Sequence, residues 1–139
     1  MAPKTRLDPL VKLRGRVEEK AQVVLAEAGR DVAEARQTLA EAEVRMHRET
    51  RVAGRACEWE MAEFARAKVV EEVKAAADEV TRAKSREEQA RTAYLSAHQS
   101  VEVVRRAAER KRGDIVREAN TAENKENDSV ATLMYSYKR

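Results

Sequence analysis

Apolar residues in the second half of the chain repeat every seven positions in two series offset by three residues. The first series is Trp59, Val73, Val80, Tyr94, Val101, Ala108, Ile115 and Ala122, and the second is Ala62, Val69, Ala76, Ala83, Ala90, Ala97 and Val104. Charged residues fill most other positions, which is the pattern of one strand of a coiled coil. At about 1.5 Å per residue this helix is about 95 Å long, so it cannot fold into a compact core.

A second apolar stripe lies earlier in the chain and recurs every eleven residues. It consists of Leu10, Leu13, Val17, Ala21, Val24, Ala28, Val32, Ala35, Leu39 and Met46. An eleven-residue repeat corresponds to about 3.67 residues per turn and favours a straight or slightly right-handed helix. We therefore expect the partner of the second helix to be this earlier helix of the same chain.

Both patterns fade between Glu43 and Glu58, where Gly54 can adopt the positive φ that ends a helix. The predicted fold is all-α: a long antiparallel two-helix coiled-coil hairpin in which the second helix is longer than the first. The expected boundaries are a first helix over residues 9–53, a tip at about 47–58, a second helix over 59–126 and a flexible tail over 127–139. The alternative is one unbroken helix through Gly54 that pairs with a second chain.

The start of the first helix is marked by Asp8 and Pro9, which are typical of an N-cap and a first helical residue. Charged residues interrupt the first series at Arg66 and Glu87 and the second series at Lys111 and Glu118, where they either set the helix register or present a surface to a partner. Alanine dominates the seam, which allows close approach of the helices and buries little apolar area per layer.

The composition argues against an enzyme. Charged residues make up 38% of the chain and aromatics only 4%, as in long exposed helices. His47 and His98 are isolated, Cys57 has no second cysteine, and no glycine-rich phosphate loop is present, so we expect no catalytic, metal or cofactor site. The chain has neither an apolar run of about 20 residues nor a signal-peptide core, so a cytoplasmic location is expected.

The two predicted arms are unequal, and this leaves a charged overhang. A turn near Gly54 places Leu10 opposite a residue near position 98, so the second helix extends past the first. The expected basic pole combines cations of that overhang with those of the first helix start. These cations are Arg105, Arg106, Arg110, Lys111, Arg112 and Arg117, together with Lys4, Arg6, Lys12, Arg14, Arg16 and Lys20.

A basic pole fits an acidic protein socket, a nucleic-acid backbone or an anionic membrane, and the alternative is a solvated end without a partner. Nucleic acid is disfavoured because the order of basic and apolar segments is the reverse of a basic zipper and stacking aromatics are missing. Membrane binding is disfavoured because the apolar face beside the cations is small. An acidic protein socket is the expected partner.

Large apolar side chains concentrate near the predicted tip, at Trp59, Met61 and Phe64. They either cap the bend of the hairpin or form a docking patch, since aromatic residues and methionine are enriched in recognition surfaces.

Two terminal segments resemble the FliJ family of flagellar type III export proteins. The first is Arg6-Leu-Asp-Pro-Leu-Val-Lys-Leu-Arg14 with Glu18-Glu19 and Leu25-Ala-Glu-Ala28, and the second is Arg117 followed by Glu123-Asn-Lys-Glu-Asn-Asp128. The resemblance implies a non-catalytic central stalk whose terminal end enters the pore of a hexameric export ATPase. It also implies that the other end of the hairpin contacts the export gate.

On this resemblance, the ATPase-binding residues are Arg6, Lys12, Arg14, Arg16, Arg105, Arg106, Arg110, Lys111, Arg112 and Arg117, and the gate-binding residues are Trp59, Met61 and Phe64. Export chaperones are a further implied partner, and the protein is expected at the cytoplasmic face of the inner membrane through its partners only. The resemblance extends to the stalk of virulence injectisomes, which the sequence does not separate from the flagellar system. The alternative function is a generic structural coiled coil or a peripheral-stalk component.

Overall fold

The computed structural model describes residues 2–48 and 56–138, except for the side chain of Cys57. Two helices account for most of these ranges, α1 over Asp8–Arg48 and α2 over Ala56–Tyr137, and neither range contains a strand. The helices pack against each other, which confirms the helical hairpin with a longer second helix. None of the described helices has a segment long and apolar enough to span a bilayer.

The chain divides into two compact units. The central unit comprises Glu19–Ser96, and the terminal unit comprises Met1–Glu18 together with Ala97–Arg139. Each unit contains a segment of α1 and a segment of α2.

Apolar layers hold the central unit together. Val32, Ala35, Val80 and Ala83 form a buried cluster, with Leu39 packed against it. Arg45 of α1 approaches Glu72 of α2 at 3.7 Å, whereas Gly29, earlier in α1, lies beside Glu87, later in α2. The segments in this unit are therefore antiparallel. Its other buried residues are Ala28, Ala42, Val69 and Ala90.

The seam of α1 follows seven-residue steps, so the predicted eleven-residue period is wrong, although six of the ten predicted stripe residues lie on the seam. The buried or half-buried positions are Ala21, Leu25, Ala28, Val32, Ala35, Leu39, Ala42 and Met46. By contrast Leu10, Leu13, Val17 and Val24, which belonged to the eleven-residue stripe, are 37–57% exposed. Alanines occupy half of the buried or half-buried positions of α1. Larger apolar residues on another face of the helix gave rise to the eleven-residue repeat in the sequence.

The two predicted series of α2 are confirmed between Val69 and Ala108. Every apolar member in this interval is buried or half-buried. Trp59 and Ala122, at the outer ends of the first series, are exposed. The seam of α2 is therefore shorter than its sequence period.

The described residues of α1 reach Arg48 and those of α2 begin at Ala56, three residues before the predicted start at 59. The predicted end of the first helix at residue 53 lies outside the described residues. The predicted turn residue Gly54 lies outside the described residues. Residues 127–137, predicted as a flexible tail, continue α2. No glycine or proline follows Gly113, and the Ser129 and Thr132 hydroxyls bond to the carbonyls of Glu126 and Asp128, which lets these polar residues remain helical.

Two polar contacts set the helix register in the terminal unit. The Glu18 side chain contacts His98, and the Asp8 side chain contacts Arg112. The prediction that Leu10 lies opposite a residue near 98 is therefore wrong by about two to three helical turns, because the pairing of the helices extends as far as Arg112. Arg112 is the last residue of α2 with a described polar contact to α1, so we count the overhang of α2 from Gly113. The buried apolar residues of this unit are Val101 and Ala108.

Candidate partner-binding site

Asp8 joins the beginning of α1 to α2. Its Oδ2 accepts a hydrogen bond from the Thr5 backbone N–H at 2.9 Å, and its Oδ1 accepts one from the Thr5 hydroxyl at 2.8 Å. The same Oδ1 lies 2.7 Å from Arg112 Nη2. The hydrogen bonds from Thr5 lower the pKa of the Asp8 carboxyl, and the positive charge of Arg112 adds to this effect.

The capping arrangement corrects the predicted N-cap. Asp8 is the first residue of α1, and its backbone N–H donates to the Thr5 carbonyl oxygen at 3.2 Å. Thr5 opens the turn that leads into α1, and Asp8 returns a carboxylate to the Thr5 N–H, which is the acidic residue's half of a capping box. The Thr-x-x-Asp spacing of residues 5–8 is the sequence signal that could have located this cap.

His98 is not isolated, contrary to the prediction. Its Nδ1 lies 2.7 Å from Glu18 Oε1, across the two helices. Glu18 stands seven residues before Leu25 on the observed seam of α1, and its side chain is 21% exposed. The sequence did not reveal this pair because the wrong period for α1 removes Glu18 from the seam.

The predicted ATPase-binding cations lie around the paired start of α1, which we call the basic collar. It comprises the exposed residues Lys4, Arg6, Lys12, Arg14, Arg16, Arg105, Arg106, Arg110 and Lys111. Arg105 forms an ion pair with Glu102 at 2.6 Å. On α2, Arg106 and Arg110 are four residues apart and share one outward face. Arg112 instead faces Asp8, and its buried Nε has no hydrogen-bond partner among the described residues.

The overhang itself is acidic, so the predicted basic overhang is wrong. Of the six α2 cations assigned to it, only Arg117 lies beyond Arg112, and Arg117 is paired with Asp114 at 2.7 Å. Residues 113–138 carry five carboxylates and three cations, whereas residues 2–18 and 97–112 together carry four carboxylates and ten cations. The positive charge is concentrated where α1 and α2 are paired, and the helix that continues past them is negative.

A groove of about 540 Å³ opens within the basic collar. Its lining includes the cations Lys4, Lys12 and Arg112, together with Thr5, Asp8, Pro9 and Val11. Because Asp8 is the single carboxylate among these seven residues, the groove suits a partner's acidic side chain.

The three predicted gate-binding residues are exposed but do not form one patch. Trp59, Met61 and Phe64 are 59%, 75% and 76% exposed. Met61 and Phe64 are three residues apart and share a face of α2, whereas Trp59 projects from a different side because residues two and five positions apart diverge on a helix. Only Met61 and Phe64 therefore make a continuous apolar surface.

No cluster of three or more histidine, cysteine or acidic side chains suited to a metal ion occurs in the described ranges. What the chain presents is a paired helical scaffold, a basic collar, an acidic overhang and an exposed apolar pair of side chains. These features define a helical-hairpin protein whose candidate sites are surfaces for partners.

The family comparison agrees with this class. The family model for the flagellar FliJ protein matches residues 3–139. The chain therefore belongs to the FliJ family, which places it in flagellar biogenesis and protein export. Comparison with curated proteins gave no match, and comparison with solved structures gave none.

Proposed function

We propose that this protein is the non-catalytic central stalk of a type III protein export ATPase, acting at the cytoplasmic face of the inner membrane. Its terminal unit inserts into the ATPase hexamer, and its central unit contacts the export gate. Export chaperones are additional partners. The observation that carries the proposal is the basic collar, found in a member of a flagellar export family.

The charge distribution supports an acidic socket as the site of insertion. The terminal unit contains fourteen cations and nine carboxylates, whereas the central unit contains fourteen cations and sixteen carboxylates. A carboxylate-lined pore would attract the terminal unit and weakly repel the central unit. The protein then acts by position and electrostatics, without chemistry of its own.

The collar contains exposed cations that are available to such a socket. Arg106, Arg110 and Lys111 have no ion pair within the described part of the chain. A partner carboxylate can therefore approach them without displacing an internal one, and a second carboxylate can enter the groove between Lys4, Lys12 and Arg112. Charge-assisted hydrogen bonds from arginine to carboxylate are about twice as strong as neutral ones.

The test is reversal of charge at Arg106 and Arg110. Arg106→Glu with Arg110→Glu should abolish binding to the ATPase and any stimulation of ATP hydrolysis, and wild-type binding should weaken as salt rises. These side chains are exposed, so helicity should not change. The matched control is Arg30→Glu with Arg36→Glu, which reverses two exposed arginines of the central unit and should leave binding intact. Stimulation by the collar variant at the wild-type level would refute the site.

The apolar pair Met61 and Phe64 is the proposed contact for the export gate. Exposed methionine and phenylalanine on one helix face favour recognition by an apolar surface. Met61→Ala with Phe64→Ala should impair export while ATPase binding persists. Trp59→Ala is the control, because Trp59 lies on another face and should have the smaller effect. Equal loss of export and of ATPase binding in the double variant would contradict two separate contact surfaces.

A further inference from the structure

Two apolar stripes in the terminal unit have no cover from the described residues. On α1, Leu10, Leu13 and Val17 are 37%, 57% and 47% exposed. On the overhang of α2, Val130, Leu133 and Tyr137 are 54%, 67% and 95% exposed, with Met134 beside them at 65%. Stripes of this size on both helices of a unit are typical of surfaces that bind another helix.

The two stripes have the same spacing. Leu10, Leu13 and Val17 are separated by three and then four residues, and so are Val130, Leu133 and Tyr137. Steps of three and four residues place side chains along one side of a helix, in the arrangement that interlocks with an equally spaced helix. If the two helices lie parallel, the three apolar positions of one stripe align with those of the other.

The charges that precede the stripes are opposite. Arg6 lies in the turn just before α1, four residues ahead of Leu10, and Glu126 lies four residues ahead of Val130, so the same alignment brings this turn near Glu126. The surroundings agree, since α1 starts within the basic collar and the overhang is acidic. The two stripes are therefore complementary both in the spacing of their apolar residues and in the charges beside them.

The two stripes of one chain cannot meet each other. Asp8 is fixed beside Arg112, and α2 continues as a helix to Tyr137. Val130 lies eighteen residues further along this helix, a rise of about 27 Å at about 1.5 Å per residue. The complementary stripe must therefore come from another molecule, and the sequence that supplies it is a second copy of this chain.

We propose that two copies associate through their terminal units. The Val130–Leu133–Tyr137 stripe of each copy packs on the Leu10–Leu13–Val17 stripe of the other. A two-fold axis makes every contact occur twice. The pairing covers part of the basic collar around Arg6, so self-association and binding of an acidic partner there are mutually exclusive. The association concerns the protein alone and stands independently of the ATPase assignment.

Sedimentation equilibrium of the full chain across a range of concentrations tests the proposal. Wild type should show a monomer–dimer equilibrium, and Leu13→Glu or Leu133→Glu should raise the dissociation constant by more than about 100-fold, because each substitution removes two apolar contacts. Val103→Glu is the control: Val103 is 69% exposed on α2, outside both stripes, and its variant should dimerise normally. Circular dichroism should show unchanged helicity in all three variants.

Charge exchange identifies the partner stripe directly. Arg6→Glu and Glu126→Arg should each weaken the dimer by about threefold to tenfold, and the combined variant should recover the wild-type constant, because the ion pair is restored with its direction reversed. A monomer at every concentration would assign the stripes to a different partner and overturn the proposal. A dimer whose dissociation constant is unchanged by Leu13→Glu and Leu133→Glu would overturn it as well. So would a combined Arg6→Glu and Glu126→Arg variant in which the two losses of dimer affinity add.

Discussion

The central and terminal units are built from the same two helices but are stabilised differently. Eight of the ten buried apolar residues belong to the central unit, and only Val101 and Ala108 belong to the terminal unit. The terminal unit instead has two close polar contacts between the helices, Asp8 with Arg112 and Glu18 with His98, both at 2.7 Å. The closest ion pair between helices described in the central unit is Arg45 with Glu72 at 3.7 Å.

This difference shows how one hairpin can combine a stable scaffold with a binding surface. Apolar layers stabilise without regard to direction, whereas polar contacts add little stability but select one register. The central unit supplies stability, and the terminal unit supplies charge and exposed apolar stripes. Substitutions in each unit test this division, and we expect a buried charge in the central unit to change stability most.

A carboxylate in the central cluster should have the largest effect. Ala83 is 1% exposed, within the cluster of Val32, Ala35 and Val80. Ala83→Asp should reduce the free energy of unfolding by about 3 kcal/mol or more, because the seam offers no partner for a buried charge. Urea denaturation followed by circular dichroism measures it. Ala93→Asp, at an exposed position of the same helix, should cost less than about 1 kcal/mol; equal losses would show that the cluster does not dominate stability.

Removal of apolar volume from the terminal unit should have an intermediate and local effect. Val101 is 1% exposed and is the largest fully buried side chain. Val101→Ala should cost about 1–2 kcal/mol. Amide hydrogen exchange should accelerate around residues 97–108 and not around residues 28–42. Val103→Ala, at a 69% exposed position, is the control. If amide exchange in Val101→Ala accelerates equally in both units, the two units open together and are not stabilised separately.

Loss of the Asp8 carboxylate should affect the start of α1. Because the pKa of Asp8 is lowered in the folded chain, its stabilising contribution is present above the ordinary carboxyl pKa and is lost as the pH falls through the lowered value. Asp8→Asn should therefore accelerate amide exchange over residues 10–12 at neutral pH, and the difference from wild type should vanish in strong acid. A difference that persists at the lowest pH would point to a steric cause. Glu34→Gln, in the central unit, is the matched control.

The smallest effect should come from the cross-helix pair of Glu18 and His98. A double-mutant cycle with Glu18→Gln and His98→Ala should give a coupling of about 0.5 kcal/mol, typical of a partly exposed pair. The same cycle on Arg45 and Glu72, whose atoms are further apart and whose side chains are 56% and 42% exposed, should give a coupling near zero. A larger coupling for Arg45 with Glu72 than for Glu18 with His98 would contradict the view that polar contacts select the helix register mainly in the terminal unit.

The sequence predicted the hairpin because seven-residue periodicity over α2 is a direct consequence of helix packing. It did not predict the register, because a seam that repeats every seven residues aligns almost equally well after a slip of one repeat. The observed register differs from the predicted one by about eight to twelve residues, which is between one and two repeats. Asp8, Glu18, His98 and Arg112 distinguish the two alignments, and their pairing depends on contacts about 80 residues or more apart in sequence.

The binding role of the candidate residues stays a prediction, but their placement can be compared. The cations are exposed near the start of α1, with the exceptions of Arg112, which faces Asp8, and Arg117, which lies on the overhang. Their assignment to an overhang failed because it depended on the register. Met61 and Phe64 were selected by residue type, and the separation of Trp59 from them follows from helix geometry and was open to prediction.

Gly113 gives the terminal unit a point of bending. It directly follows Arg112, the last residue of α2 held by α1, and the space beside its Cα is open, so no packing requirement explains a glycine there. A glycine disfavours the helical state by about 1 kcal/mol relative to alanine, which makes local opening of the helix about fivefold more frequent. The acidic overhang is therefore joined to the paired helices through a residue that lowers the cost of bending. If the overhang enters a pore, as we propose, it can change direction there while the pairing behind it stays intact.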